Sequence, residues 1–131
     1  MPPENEPLEI LVIDWELSQV GSKAFDLGQC FAELYLLTHF RSIDAGSQLI
    51  SAFMTGYGPV DETLAFRIAL HFGTHLVVWP CRVPGWGEGT IMEKCVEMGR
   101  DYVQHAYTRD LEFFRGGVLD KVFFPTNDAA T

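Results

Sequence analysis

The sequence predicts a mainly α fold with about four helices and one short N-terminal strand. Three observations carry this. Leu8 to Ile13 is a short apolar run containing Ile10, Val12 and Ile13, too short for a helix and rich in β-branched residues. Downstream of Gly21 the apolar residues recur at helical spacing. Glycine and proline then cut the chain at Gly58-Pro59, across Pro80 to Gly89, and at Gly116-Gly117. A single strand cannot form a sheet, so the helices must supply the core.

The elements follow in order. Residues 1–7 are acidic and Pro-rich and are expected to be disordered. Residues 8–124 form the folded lobe. After the strand, Gly21-Ser22 marks a turn, and Ser22 is a candidate N-cap for a first helix from about Ala24 to His39. Leu27, Phe31, Leu34 and Tyr35 line one of its faces, and Ala24, Gly28, Ala32 and Leu36 a neighbouring one, so both are expected to be buried. Asp44 is a good N-cap for a second helix ending near Gly56, with Leu49, Ile50, Phe53 and Met54 on its apolar side. Asp61 caps a third helix reaching about Trp79. Leu64, Ile68 and Val78, with Ala65, Ala69, Phe72 and Leu76, cover much of its circumference, which predicts a central helix.

Pro80 to Gly89 reads as a loop. Thr90 and Glu93 have the spacing of a capping box for a fourth helix that extends as far as Arg115, with Cys95, Gly99, Tyr102, Ala106 and Phe113 along one stripe. Gly116-Gly117 ends it, and Val118 to Phe124 makes a final turn that packs back. Residues 125–131 are expected to fray.

Composition bounds the function. A chain of 131 residues with 47% hydrophobic and 21% charged residues suits one folded domain. The net charge of -9 disfavours nucleic acid and anionic membrane as partners; it would suit a cationic ligand, but an ordinary acidic surface is the favoured reading. No apolar run reaches the about 18 residues of a membrane span, and the N-terminus lacks the basic start and apolar stretch of a signal peptide. Cys30, Cys81 and Cys95 are odd in number and unpaired in spacing, which points to a reducing, cytoplasmic setting. They read as buried small hydrophobes.

Chemistry concentrates at the end of the strand. Asp14 follows a buried strand and opens a loop, so its carboxylate is held at the sheet edge. That suits a hard cation such as Mg²⁺, which takes one or two carboxylates together with phosphate oxygens. Glu16 adds a second oxygen, directly or through water. The bland alternative is that both residues cap a turn. His71 and His75 share a helix face, which suits a common metal. No glutamate of the zinc-protease pattern stands between them and no further ligand motif follows, so packing roles are favoured.

The longer pattern Ile13-Asp14-Trp15-Glu16, Gly21 and Phe25-Asp26-Leu27-Gly28, followed by a long apolar helix, resembles the aminoglycoside phosphotransferase family, to which choline kinases and methylthioribose kinases are related. Ala32-Glu33-Leu34, His39-Phe40-Arg41, Gly56-Tyr57-Gly58-Pro59 and Arg82-Val83-Pro84-Gly85-Trp86-Gly87 are similar to a fungal branch of it. The resemblance implies the helical C-terminal lobe of a protein-kinase-like fold and, in the family, ATP-dependent transfer of a phosphoryl group to a small-molecule hydroxyl. Asp14 would then be the metal-binding aspartate and Glu16 its acidic support. Asp26 would steady the catalytic loop by accepting its backbone N–H groups. Trp79 and Trp86 are candidates for the wall of the acceptor pocket, with core packing the rival role for Trp79.

The family's catalytic loop, His-Gly-Asp with an Asn soon after, precedes the metal aspartate. No histidine stands ahead of Asp14, and Lys23, Lys94 and Lys121 all lie downstream of the strand. The expectation is therefore a truncated lobe with no catalytic base of its own. It would bind Mg²⁺ weakly and be inactive alone. It would pair with an ATP-clamping N-terminal lobe or self-associate through bare apolar surface. A non-catalytic helical binding module and one half of a split kinase are the alternative readings.

Overall fold

The computed structural model describes Leu11, Ile13 and residues 18–125. Five α-helices appear there: α1 (Lys23–Arg41), α2 (Ala45–Tyr57), α3 (Glu62–Arg82), α4 (Thr90–Tyr107) and α5 (Asp120–Phe123), with a 3-10 turn at Leu111–Phe114 between the last two. The fold is mainly helical, as the periodicity predicts. The expected strand falls almost wholly outside the described residues. Leu11 and Ile13, which are described, have no strand assignment and are exposed.

Residue pairs define the packing. Phe31 of α1 meets Phe53 of α2, Tyr35 of α1 meets Phe72 of α3, and Phe72 in turn meets Tyr102 of α4. α1 thus lies between α2 and α3, and α3 between α1 and α4. Phe31, Leu36, Ile50, Ile68, Phe72, Leu76 and Phe114 are fully buried between them, so α3 is central, as its broad apolar circumference requires. Two close crossings depend on missing side chains. A Cβ on Gly28 would sit 2.6 Å from the Cβ of His71 and 2.9 Å from the carbonyl of Ile68. A Cβ on Gly73 would sit 2.6 Å from the carbonyl of Gly99 on α4. The helices approach this closely only because these positions carry no methyl.

Several helix ends differ from the sequence expectation. Ser22 caps α1, accepting from the backbone N–H of Ala24 at 3.4 Å, and Asp61 caps α3, accepting from Leu64 at 2.8 Å. Asp44 makes no such bond. Its place is taken by Thr38 of α1, whose hydroxyl accepts from the Ser47 N–H at 3.2 Å. α4 starts at Thr90 with Gly89 as N-cap, so the Thr90–Glu93 capping box does not form. Thr90 lies one residue inside the helix, and the Glu93 N–H that its hydroxyl would accept from instead donates to the Gly89 carbonyl at 3.0 Å.

α3 continues past Trp79 and Pro80 to Arg82. A proline inside a helix removes the N–H that would bond the carbonyl four residues earlier. Here that carbonyl belongs to Leu76, and the Cys95 thiol of α4 donates to it at 3.7 Å. The long-range partner that lets the helix run through Pro80 is invisible in local sequence.

α4 stops at Tyr107, well short of Arg115. Arg109 adopts a left-handed φ of 56°, and the chain folds back so that Phe114 is buried and stacks on Phe123 with ring centroids 4.1 Å apart. Tertiary packing of these rings overrides the helical stripe. Among the described residues no helix is long and apolar enough to cross a membrane.

Candidate functional site

Phe25, Gln29 and Glu33 are spaced by four along α1, so they share one face. The same spacing aligns His71, His75 and Trp79 on α3. The Gly28 crossing brings these two ladders side by side. Phe25 lies against His71 with ring centroids 4.1 Å apart. The Glu33 carboxylate and His75 Nε2 are 2.9 Å apart, and the His75 ring stacks on Trp79 at 5.4 Å and 25°. Together Phe25, Gln29, His71, Thr74, His75, Val78 and Trp79 line an open groove of about 240 Å³ between α1 and α3.

The groove is mostly apolar and partly exposed. Val78 was expected on the buried stripe of α3 but is 43% exposed, and Trp79 is 39% exposed and open to the groove. His71 has its pKa lowered, first by burial and then by the nearby Arg67 charge, which favours a neutral ring. His71 packs on Phe25 and His75 meets Glu33, so both sit at the α1/α3 seam. Among the described residues no group of three His, Cys, Asp or Glu side chains has a metal-binding arrangement.

The other sequence-derived candidates sit elsewhere. Asp14 and Glu16 lie outside the described residues. Asp26 is exposed in the first turn of α1, where a carboxylate is favoured by the helix dipole, and no described residue donates to it. Trp86 lies in the α3–α4 loop against Phe40, with centroids 5.9 Å apart, and does not line the groove. The structure brings Trp79, but not Trp86, into a candidate ligand surface. Sequence reading missed Phe25, Gln29 and Glu33 as partners of this surface. Their four-residue spacing was visible, but which face of α3 they meet was not.

The thiols differ in kind. Cys30 and Cys81 are exposed and Cys95 is buried, which corrects the expectation that all three are buried. Burial, with a smaller contribution from Cys81, pushes the Cys95 thiol up to about 11.

Across 120 residues, 92% of the chain, the sequence is 32% identical to phosphotransferase FrzJ from Cladobotryum sp.. Across 73 residues, 54% of the chain, it is 25% identical to 4-hydroxytryptamine kinase from Psilocybe cubensis. Similarity thus points to the phosphotransferase and kinase class. The chain spans 31% of the first protein and 20% of the second. With 120 of 131 residues matched to FrzJ, the matched stretch begins ahead of Asp14 and takes in Glu16 and Asp26. No family model and no solved structure matches the chain.

Proposed function

We propose that this chain is the helical C-terminal lobe of an ATP-dependent small-molecule kinase of the aminoglycoside phosphotransferase type. The observation that carries the reading is the similarity to phosphotransferase FrzJ across a stretch that includes the whole Asp14 to Gly28 motif. In the complete enzyme the γ-phosphoryl group passes from ATP to a hydroxyl oxygen of the acceptor. ADP leaves, and the hydroxyl proton goes to a base in a catalytic loop ahead of this segment.

The chain's own contribution is positioning and charge. Asp14 and Glu16 offer hard carboxylate oxygens, the donor chemistry that Mg²⁺ takes, and Mg²⁺ bound there would neutralise charge on the phosphates. Asp26 has its carboxylate exposed on the rigid first turn of α1, available to accept backbone N–H groups of a catalytic loop. The α1/α3 groove, with Trp79 as one wall, would receive the acceptor.

The test is a chimera in which this chain replaces the matching third of FrzJ, assayed for ADP release with the acceptors of FrzJ. We expect no turnover from the 131-residue chain alone, turnover from the chimera, and a loss of at least about a hundredfold on Asp14→Ala, because the metal contact to the phosphates goes with it. Robust turnover by the chain alone, or a chimera indifferent to Asp14, would overturn the reading.

A further inference from the structure

We propose that the seam between α3 and α4 is a docking groove for an acidic amphipathic helix of a partner protein. The inference stands apart from the kinase reading, because it uses neither the Asp14 to Gly28 motif nor the ring pairs of the α1/α3 groove. Gly73 and Gly99 bring α3 and α4 together: a Cβ on Gly99 would lie 2.7 Å from the Gly73 carbonyl oxygen. Along this seam two depressions follow one another. Val77, Val78 and Val103 supply the apolar lining of the first, in a volume of about 330 Å³. Phe66, Leu70 and Ala106 do the same for the second, of about 230 Å³, beside the exposed Tyr107. Thr74 of the first and Leu70 of the second are one turn apart on the same face of α3, with the Thr74 hydroxyl donating to the Leu70 carbonyl at 2.8 Å. The two depressions therefore make one groove.

Its lining is charged in one sense only. Arg100 lines the first depression, Arg67 and Arg109 line the second, and among the described residues no Asp or Glu lines either. Three of the chain's 9 Lys and Arg residues thus gather here, on a protein whose 18 Asp and Glu residues leave it at -9. Arg109 is already engaged, by Glu62 at 3.5 Å and by the Thr63 hydroxyl. Among the described residues Arg67 and Arg100 form no ion pair, so their guanidinium groups are open to carboxylates from outside.

Length and backbone chemistry choose the occupant. Thr63 to Val78 covers about 22 Å along α3 at about 1.5 Å per residue, too long for one small anion. Both walls are helices whose backbone groups bond within themselves, so they offer no strand edge and the occupant must satisfy its own backbone. A helix does so, and it can lay an apolar stripe into the seam. Arg100 shares the first depression with Val77, which lies roughly 15 Å from Arg67 along the α3 axis. Carboxylates about ten residues apart on a docked helix reach both arginines.

Fluorescence anisotropy with three labelled peptides tests this on the 131-residue chain. Each peptide is an alanine-based helix of about 16 residues, enough to span the groove. The first carries a leucine stripe and a pair of glutamates at each end. The second has lysines in place of the glutamates, and the third has glutamines in place of the leucines. The first is expected to bind, less tightly as salt rises, and the other two at least about tenfold more weakly. The double variant Arg67→Glu, Arg100→Glu changes two exposed positions and is checked for native circular dichroism. It is expected to weaken the acidic peptide by about tenfold or more and to favour the lysine peptide instead. No binding of the acidic peptide, equal binding of the lysine peptide, or binding unchanged in the double variant would overturn the proposal. Sedimentation reads the rival occupant: self-association of the chain that the double variant abolishes would assign the groove to a second copy and overturn the partner helix.

Discussion

Gly28→Ala adds one methyl group at the α1/α3 crossing. The new Cβ would lie 2.6 Å from His71 Cβ, 2.9 Å from the Ile68 carbonyl oxygen and 3.1 Å from the Phe72 nitrogen. Carbon contacts prefer about 3.5–4.0 Å, so the two helices must part by about 1 Å. Two of the three obstacles are backbone atoms of α3 and cannot rotate away. Overpacking costs about 1–3 kcal/mol, and the immovable backbone obstacles put this case at about 2–3 kcal/mol; alanine over glycine inside a helix offsets about 1 kcal/mol of it. The expected net loss is about 1–2 kcal/mol, or a melting temperature lower by roughly 4–8 °C.

The assay is urea unfolding followed by far-ultraviolet circular dichroism, with the slope checked for constancy. Gly56→Ala is the control: it is also helical, in α2, but nothing lies within 4 Å of its new Cβ. That variant is expected to gain up to about 1 kcal/mol. If Gly28→Ala matches the native chain or gains as Gly56→Ala does, the close crossing is not what holds α1 on α3, and the groove built on it loses its frame.

Other expected outcomes concern the thiols, Asp26 and association. At pH 8 a disulfide reagent should titrate Cys30 and Cys81 in the folded chain and reach Cys95 only after unfolding, because that thiol is buried and held up to about 11. Between the ordinary thiol value of 9.0 and about 11 the folded chain keeps a proton that the unfolded chain releases. Stability should therefore fall as pH rises through that window, and a Cys95→Ala variant should lose this part of the alkaline decline. Asp26→Asn should change unfolding stability by less than about 1 kcal/mol, the scale of a helix-dipole contribution; a loss above about 2 kcal/mol would reveal a buried network. Ile43, Leu49, Phe53 and Tyr57 are exposed on or beside α2, and Phe25, Val78 and Trp79 on the groove side. Apolar surface of this kind should make the chain self-associate in sedimentation runs as concentration rises, and a clean monomer at high concentration would count against it.

Helix identity was legible in the sequence because it rests on local signals: apolar spacing along α1 and α3, oxygen caps at Ser22 and Asp61, and the Gly58-Pro59 break. The motif from Ile13 to Gly28 pointed to the phosphotransferase and kinase class, to which the similarity to FrzJ also points, since residue types and their order carry such a signal. Contacts between distant residues decided the rest. Thr38 took over the cap expected of Asp44, and the Cys95 thiol met the carbonyl that Pro80 left unpaired and so kept α3 helical to Arg82. The burial of Phe114 against Phe123 ended α4 early and folded the chain back. The groove belongs to the same class. Phe25, Gln29 and Glu33 were an evident ladder on α1, but periodicity cannot say which face of another helix a ladder will meet. Only the close crossing at Gly28, where an added Cβ would lie 2.6 Å from the His71 Cβ, set them opposite His71, His75 and Trp79, turning a stripe that read as core into an open surface.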